Sequence, residues 1–131
     1  MNNYFSKVKD YLLELDYTIS YEDENDGVLV VGNEANGINN LVLGVADPLL
    51  IIEQFIFEFD KPTAEMLTRL MQKSRDIIHG AFVLDETGKR VIFRNTHELE
   101  NLDLNEIEAT LNSLSLLLSE YSTEIIELSK N

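Results

Sequence analysis

Leu49-Leu50-Ile51-Ile52-Glu53-Gln54-Phe55-Ile56-Phe57-Glu58-Phe59 is the stretch on which the fold turns. It is rich in branched and aromatic residues, so it reads as one long strand. A strand of a sheet covered on one face alternates inward apolar with outward polar residues. This one does not. If Leu49, Ile51, Phe55, Phe57 and Phe59 face the helices, then Leu50, Ile52 and Ile56 point to the other face, joined there by Val42 or Leu43. Two readings stay open. A bulge near Glu53-Gln54 switches the register so that both halves face the core, or a second chain covers the other face. On the second reading, Leu50, Ile52 and Ile56 are candidate partner-binding residues.

Upstream of this strand, Tyr4, Phe5, Val8, Tyr11, Leu12 and Leu15 recur at helical spacing and predict a helix over 3–15. Thr18 to Tyr21 and Val28 to Val31 read as strands joined by the acidic turn Glu22 to Gly27, whose Asp-Gly step is a hairpin signal. Asn33 to Gly37 is a second turn, Leu41 to Ala46 a third strand, and Asp47-Pro48 breaks it. Downstream, Asp60-Lys61-Pro62 starts a second helix with Met66, Leu67, Leu70, Met71 and Ser74 as its inner stripe. Ala81 to Leu84 and Arg90 to Arg94 form a further hairpin about Asp85 to Gly88.

The last helix has the clearest start. Asp103 and Glu106 make a capping box, and Leu102 and Ile107 occupy the two positions of a hydrophobic staple. Leu104, Ile107, Leu111, Leu114, Leu118, Tyr121, Ile125 and Leu128 then alternate steps of three and four, with Leu117 widening the seam and Leu116 pointing nearly opposite. The order α-β-β-β-β-α-β-β-α predicts one α+β domain over 1–131, an antiparallel sheet with its helices packed on one face.

The net charge of −14 is uneven. Residues 1–60 hold 12 acids and 2 bases, 61–94 hold 4 acids and 7 bases, and 95–131 hold 8 acids and 1 base. A chain this acidic is repelled by phosphate backbones and anionic lipid, so neither nucleic acid nor membrane is an expected partner. The basic trio Lys89, Arg90 and Arg94 is a poor nucleic-acid footprint in such surroundings. No basic and apolar leader opens the sequence, the longest apolar runs are far too short to span a bilayer, and there is no cysteine. A cytoplasmic location is the expectation.

The sequence offers little chemistry. It has no nucleophile elbow, phosphate-binding glycine loop or zinc pattern. The acidic turn at 22–26 lacks the register of a calcium loop. His79 and His97 are isolated in sequence; were they to meet in the fold they could share a metal or a proton, but edge positions suit them better. Neither a catalytic role nor a cofactor is expected.

Three segments carry a family likeness: Gly80-Ala81-Phe82-Val83-Leu84-Asp85, Lys89-Arg90-Val91-Ile92-Phe93, and Leu102-Asp103-Leu104-Asn105-Glu106-Ile107-Glu108. In these and in its element order the chain resembles the type III secretion (Tir-type) chaperone-like and YbjN-like proteins. The resemblance implies a small acidic homodimer that holds a partner polypeptide, such as a secreted effector-like client, in an extended state without nucleotide hydrolysis; with the two-faced fourth strand, the held segment is expected to be apolar. The alternative is an acidic regulatory or stress-adaptor protein that binds a folded partner.

Overall fold

The computed structural model describes residues 3–120 together with 122, 123 and 127. Helix α1 (Tyr4–Glu14) leads into strands β1 (Thr18–Asp23), β2 (Val28–Asn33), β3 (Ile38–Ala46) and β4 (Leu49–Glu58). Helix α2 (Ala64–Ser74), strands β5 (Ala81–Leu84) and β6 (Arg90–Glu98), and helix α3 (Leu104–Glu120) follow. The order is the one expected from the sequence. All pairings are antiparallel, in one six-stranded sheet ordered β1-β2-β3-β4-β6-β5.

Local chemistry sets the ends of the elements. Asn3 Oδ1 caps α1 by accepting from the Ser6 N–H at 3.0 Å. Gly27 closes the first hairpin at φ +71°, and a Cβ there would collide with the carbonyl oxygen of Val45, so the close approach of turn and β3 admits only glycine. Asp103 Oδ1 accepts from the Glu106 N–H at 2.9 Å, the forward half of the expected box, and Leu102 and Ile107 are both buried in one cluster. One start differs from expectation. Thr63, whose Oγ1 accepts from the Met66 N–H at 3.2 Å, caps α2, so Pro62 precedes the helix.

Residues paired across neighbouring strands share a face, so the register sorts the whole sheet. Leu29, Val31, Leu41, Leu43, Leu50, Ile52 and Phe93 lie on the inner face, packed with Phe5, Val8 and Leu12 of α1 and Ile107, Leu111, Leu114 and Leu117 of α3. A second cluster continues that face beneath α2, where Phe57, Phe59 and Val91 meet Met66 and Leu70. All three helices therefore cover the same side. In α3 the seam is buried from Ile107 to Leu117, while Leu116 is exposed as its position implied; Tyr121, Ile125 and Leu128 lie outside the described residues.

β4 itself corrects the expected assignment of faces. Its pairing with β6 skips Ile56 between Phe55↔Ile92 and Phe57↔Val91, a bulge two residues beyond Gln54. One extra residue inverts the parity of a strand. Leu50, Ile52 and Gln54 before the bulge and Phe57 and Phe59 after it all face inward, whereas Leu49, Ile51 and Phe55 face outward. Phe55 is 45% exposed while Phe57 and Phe59 are 6% and 1% exposed, so the three phenylalanines do not share a face.

Candidate protein-binding surfaces

Leu50 and Ile52, expected on an open face, are fully buried in the chain's own core, and Ile56 is half-buried against both clusters. The physical reason is the bulge: the bulky half of β4 that the helices seal is the one its alternation seemed to turn away. Among the described residues, apolar surface stays open elsewhere, and two places of different shape stand out.

The first is the outer face of the sheet. One cross-strand row runs Tyr21, Val30, Val42, Glu53, Arg94, Ala81 from edge to edge. Beside it lie Ile51 and the trio Phe55, Ile92 and Val83. Tyr21 and Val42 are exposed, Val30, Ile51 and Ile92 half-buried. Both arginines of this face are engaged within it: Arg94 Nη1 stands 3.5 Å from Glu53 Oε2, and the Arg90 guanidinium lies 4.4 Å over the Phe55 ring. The face is broad, and it carries Asp23, Glu53, Glu58 and Glu98 beside Arg90 and Arg94.

The second is a groove of about 290 Å³ between α2 and the edge strand β5, lined by Leu67, Leu70, Met71, Phe82, Val83 and Leu84. Met71, expected on the inner stripe of α2, is 76% exposed at its rim. The helix turns only Met66 and Leu70 fully into the core, because the short β5 beneath it offers a narrow floor. Ser74 holds the groove together by accepting from the Phe82 N–H at 2.9 Å. Sequence reasoning missed this site, since it needs α2 and β5 laid side by side; the exposed Leu84 on a four-residue strand was its one local sign.

The histidines are brought closer than their sequence positions suggested. His97 stands on β6 beneath α3 with its Nε2 2.8 Å from Thr110 Oγ1. The Thr110 hydroxyl donates to the Glu106 carbonyl at 3.2 Å, so Nε2–H donates to Thr110 and Nδ1 faces the Glu106 carboxylate at 3.8 Å. Burial pushes the imidazole below its usual range; Glu106 opposes this, and a nearby His79 adds to it. Among the described residues no three His, Cys, Asp or Glu side chains cluster to hold a metal. The His97–Thr110 contact braces α3 against the sheet.

A family model, CesT_Tir_1, matches residues 1–131. The chain belongs to this type III chaperone family. Two solved structures share the fold of this CesT_Tir_1 chain. YbjN from E. coli is 10% identical with a TM-score of 0.64, over 92% of each chain. A chain of the HopA1–SchA chaperone–effector complex is 14% identical with a TM-score of 0.62, over 89% of this chain and 93% of that one. No curated protein matches the sequence. Among the described residues, no helix is long and apolar enough to cross a membrane.

Proposed function

We propose that this CesT_Tir_1 chain is a non-enzymatic, chaperone-like protein of the cytoplasm that acts as a homodimer and holds an apolar segment of a partner polypeptide. The observation that carries the reading is the α2–β5 groove. It is narrow, apolar and open at the rim, a shape that takes one or two apolar side chains of an extended segment. Membership of the chaperone family and likeness to a chain from a chaperone–effector complex support it. Binding of extended apolar peptides, measured by fluorescence anisotropy, tests it. Leu84→Asp and Met71→Asp are expected to weaken that binding by about tenfold or more and to leave the melting curve nearly unchanged. Equal affinity in wild type and both variants would remove the groove from the mechanism.

A second reading has its own support in the net charge of −14 and the likeness to YbjN: an adaptor that docks on a folded partner through its acidic surface. Salt separates the two. Charge-driven docking weakens steeply as ionic strength rises, whereas apolar capture hardly changes.

A further inference from the structure

We infer that Asn36 is a modification site, a side chain that loses its amide as ammonia once the turn carrying it opens and that the closed fold protects. Asn36-Gly37 is the one Asn-Gly step of the chain. An asparagine carboxamide is open to attack by the backbone nitrogen of the residue that follows, and glycine, without a Cβ, obstructs that nitrogen least. The Gly37 nitrogen bonds to Cγ of Asn36 and gives up its proton. The Cγ–Nδ2 bond breaks, and ammonia leaves with that proton. Water then opens the cyclic imide at either carbonyl, leaving aspartate or isoaspartate. Water is the only other reactant.

The fold engages both reacting groups. Asn36 ends the short 3-10 helix Glu34–Asn36 that joins β2 to β3, and Gly37 follows it in the left-handed region at φ +69°. Crowding does not protect the step, since apart from its chain neighbours no heavy atom lies within 4 Å of where a Gly37 Cβ would stand. Hydrogen bonds do. The Gly37 N–H donates to the Glu34 carbonyl at 3.0 Å. Asn36 Nδ2 donates to the Tyr17 hydroxyl at 3.4 Å, and Tyr17 is itself buried in the main core. The Asn36 N–H donates to Asn33 Oδ1 at 3.0 Å, and its carbonyl accepts from Ser115 Oγ of α3 at 2.8 Å. Attack needs the Gly37 N–H released and the carboxamide turned away from Tyr17. A group held in this way reacts through the locally open state, so its rate follows the free energy of opening the turn. Either product alters that turn. Aspartate sets a new carboxylate two residues from Glu34, and isoaspartate lengthens the main chain by a methylene where Asn33 pairs with the buried Ile38.

Peptide mass spectrometry of the full chain, aged at one mildly alkaline pH in buffer and in guanidinium chloride, tests this. In denaturant Asn36 is expected to convert before any other asparagine. In buffer it is expected to convert at least about tenfold more slowly. Ser115→Ala and Tyr17→Phe each remove one tie. Each is expected to speed the conversion in buffer by about twofold to tenfold, the worth of one hydrogen bond, and to leave the rate in denaturant unchanged. Two variants at separate contacts carry the test even if one of them disturbs folding, which circular dichroism reads. Equal rates for wild type in buffer and denaturant overturn the inference. So does conversion in denaturant that begins at another asparagine, or a folded variant at either contact that ages in buffer as wild type does.

Discussion

The two faces of the sheet carry similar side chains and meet opposite fates. Val31, Leu43 and Ile52 on one side pack with α1 and α3; Val30, Val42 and Ile51, their immediate neighbours in sequence, lie on the other, where no helix among the described residues packs on them. The apolar residues of the two inner-face clusters are buried, so each contributes close to its full transfer free energy and any void stays unfilled. The outer face contributes far less to holding one copy together. The difference separates the residues whose burial the fold requires from apolar residues whose burial it does not.

The sharpest way to break this comparison is to place the same charge on both faces of adjacent strands. Ile52→Asp sets a carboxylate in a site that is fully enclosed, which costs about 4 kcal/mol or more. Against a total stability of about 5–15 kcal/mol for a domain, this leaves the chain largely unfolded or barely stable. Val42→Asp, on the paired strand but 39% exposed, is expected to change stability within about 0.5 kcal/mol when measured in dilute, monomeric protein. Chemical denaturation of the two variants side by side checks the contrast. Similar losses in both would show that the outer face is as much a part of the folded monomer as the inner one.

The element order, the hairpin turns, the α3 cap and its staple were legible because each depends on residues close in sequence. Gly27 needs only its own φ and one neighbouring strand, and Asp103 needs only the helix it opens. The assignment of faces was not legible in the same way. Alternation determines facing only as long as the register is unbroken, and the single extra residue at Ile56 reverses it for everything on one side. A bulge was one of two admissible readings of Leu49 to Phe59, but no local residue marks its position: Ile56 is β-branched and suits a regular strand as well. Gln54 was the informative residue. A polar side chain two places from Ile52 looks like an outward position, yet it lies inward and is 8% exposed. The α2–β5 groove was hidden for a different reason, because Met71 and Leu84 acquire meaning only when distant segments are packed together.

Gln54 also gives the intermediate test. Its Nε2 donates to the Asn39 carbonyl at 2.9 Å and to the Phe55 carbonyl at 3.0 Å, supplying donors to backbone groups where the strand approaches its bulge. Gln54→Ala removes both and is expected to cost about 0.5–1.5 kcal/mol, the net worth of a typical intramolecular hydrogen bond. The loss should register in urea as a lower midpoint with an unchanged slope. A polar residue on the inner face would thereby prove to be as structural as its apolar neighbours. If the midpoint does not move, the inner face owes its stability to the apolar clusters alone.

The smallest effect comes from protons on the same face. His97 is held below its ordinary range first by burial, with Glu106 working against the shift and His79 with it. The unfolded chain titrates this group near 6.5, so between that value and the lower folded one the unfolded state binds more protons. Stability therefore rises with pH through that window: the contribution is complete above the unfolded value and is lost as pH falls toward the folded one. His97→Gln keeps a donor for Thr110 and cannot titrate. Melting temperatures followed downward from neutral pH should fall faster for wild type than for His97→Gln, the difference isolating this group from the many carboxylates that both proteins share. An identical descent would mean that the imidazole is as free to take a proton in the folded chain as in the unfolded one, and that α3 does not seal the inner face over β6 as tightly as the 2.8 Å contact with Thr110 implies.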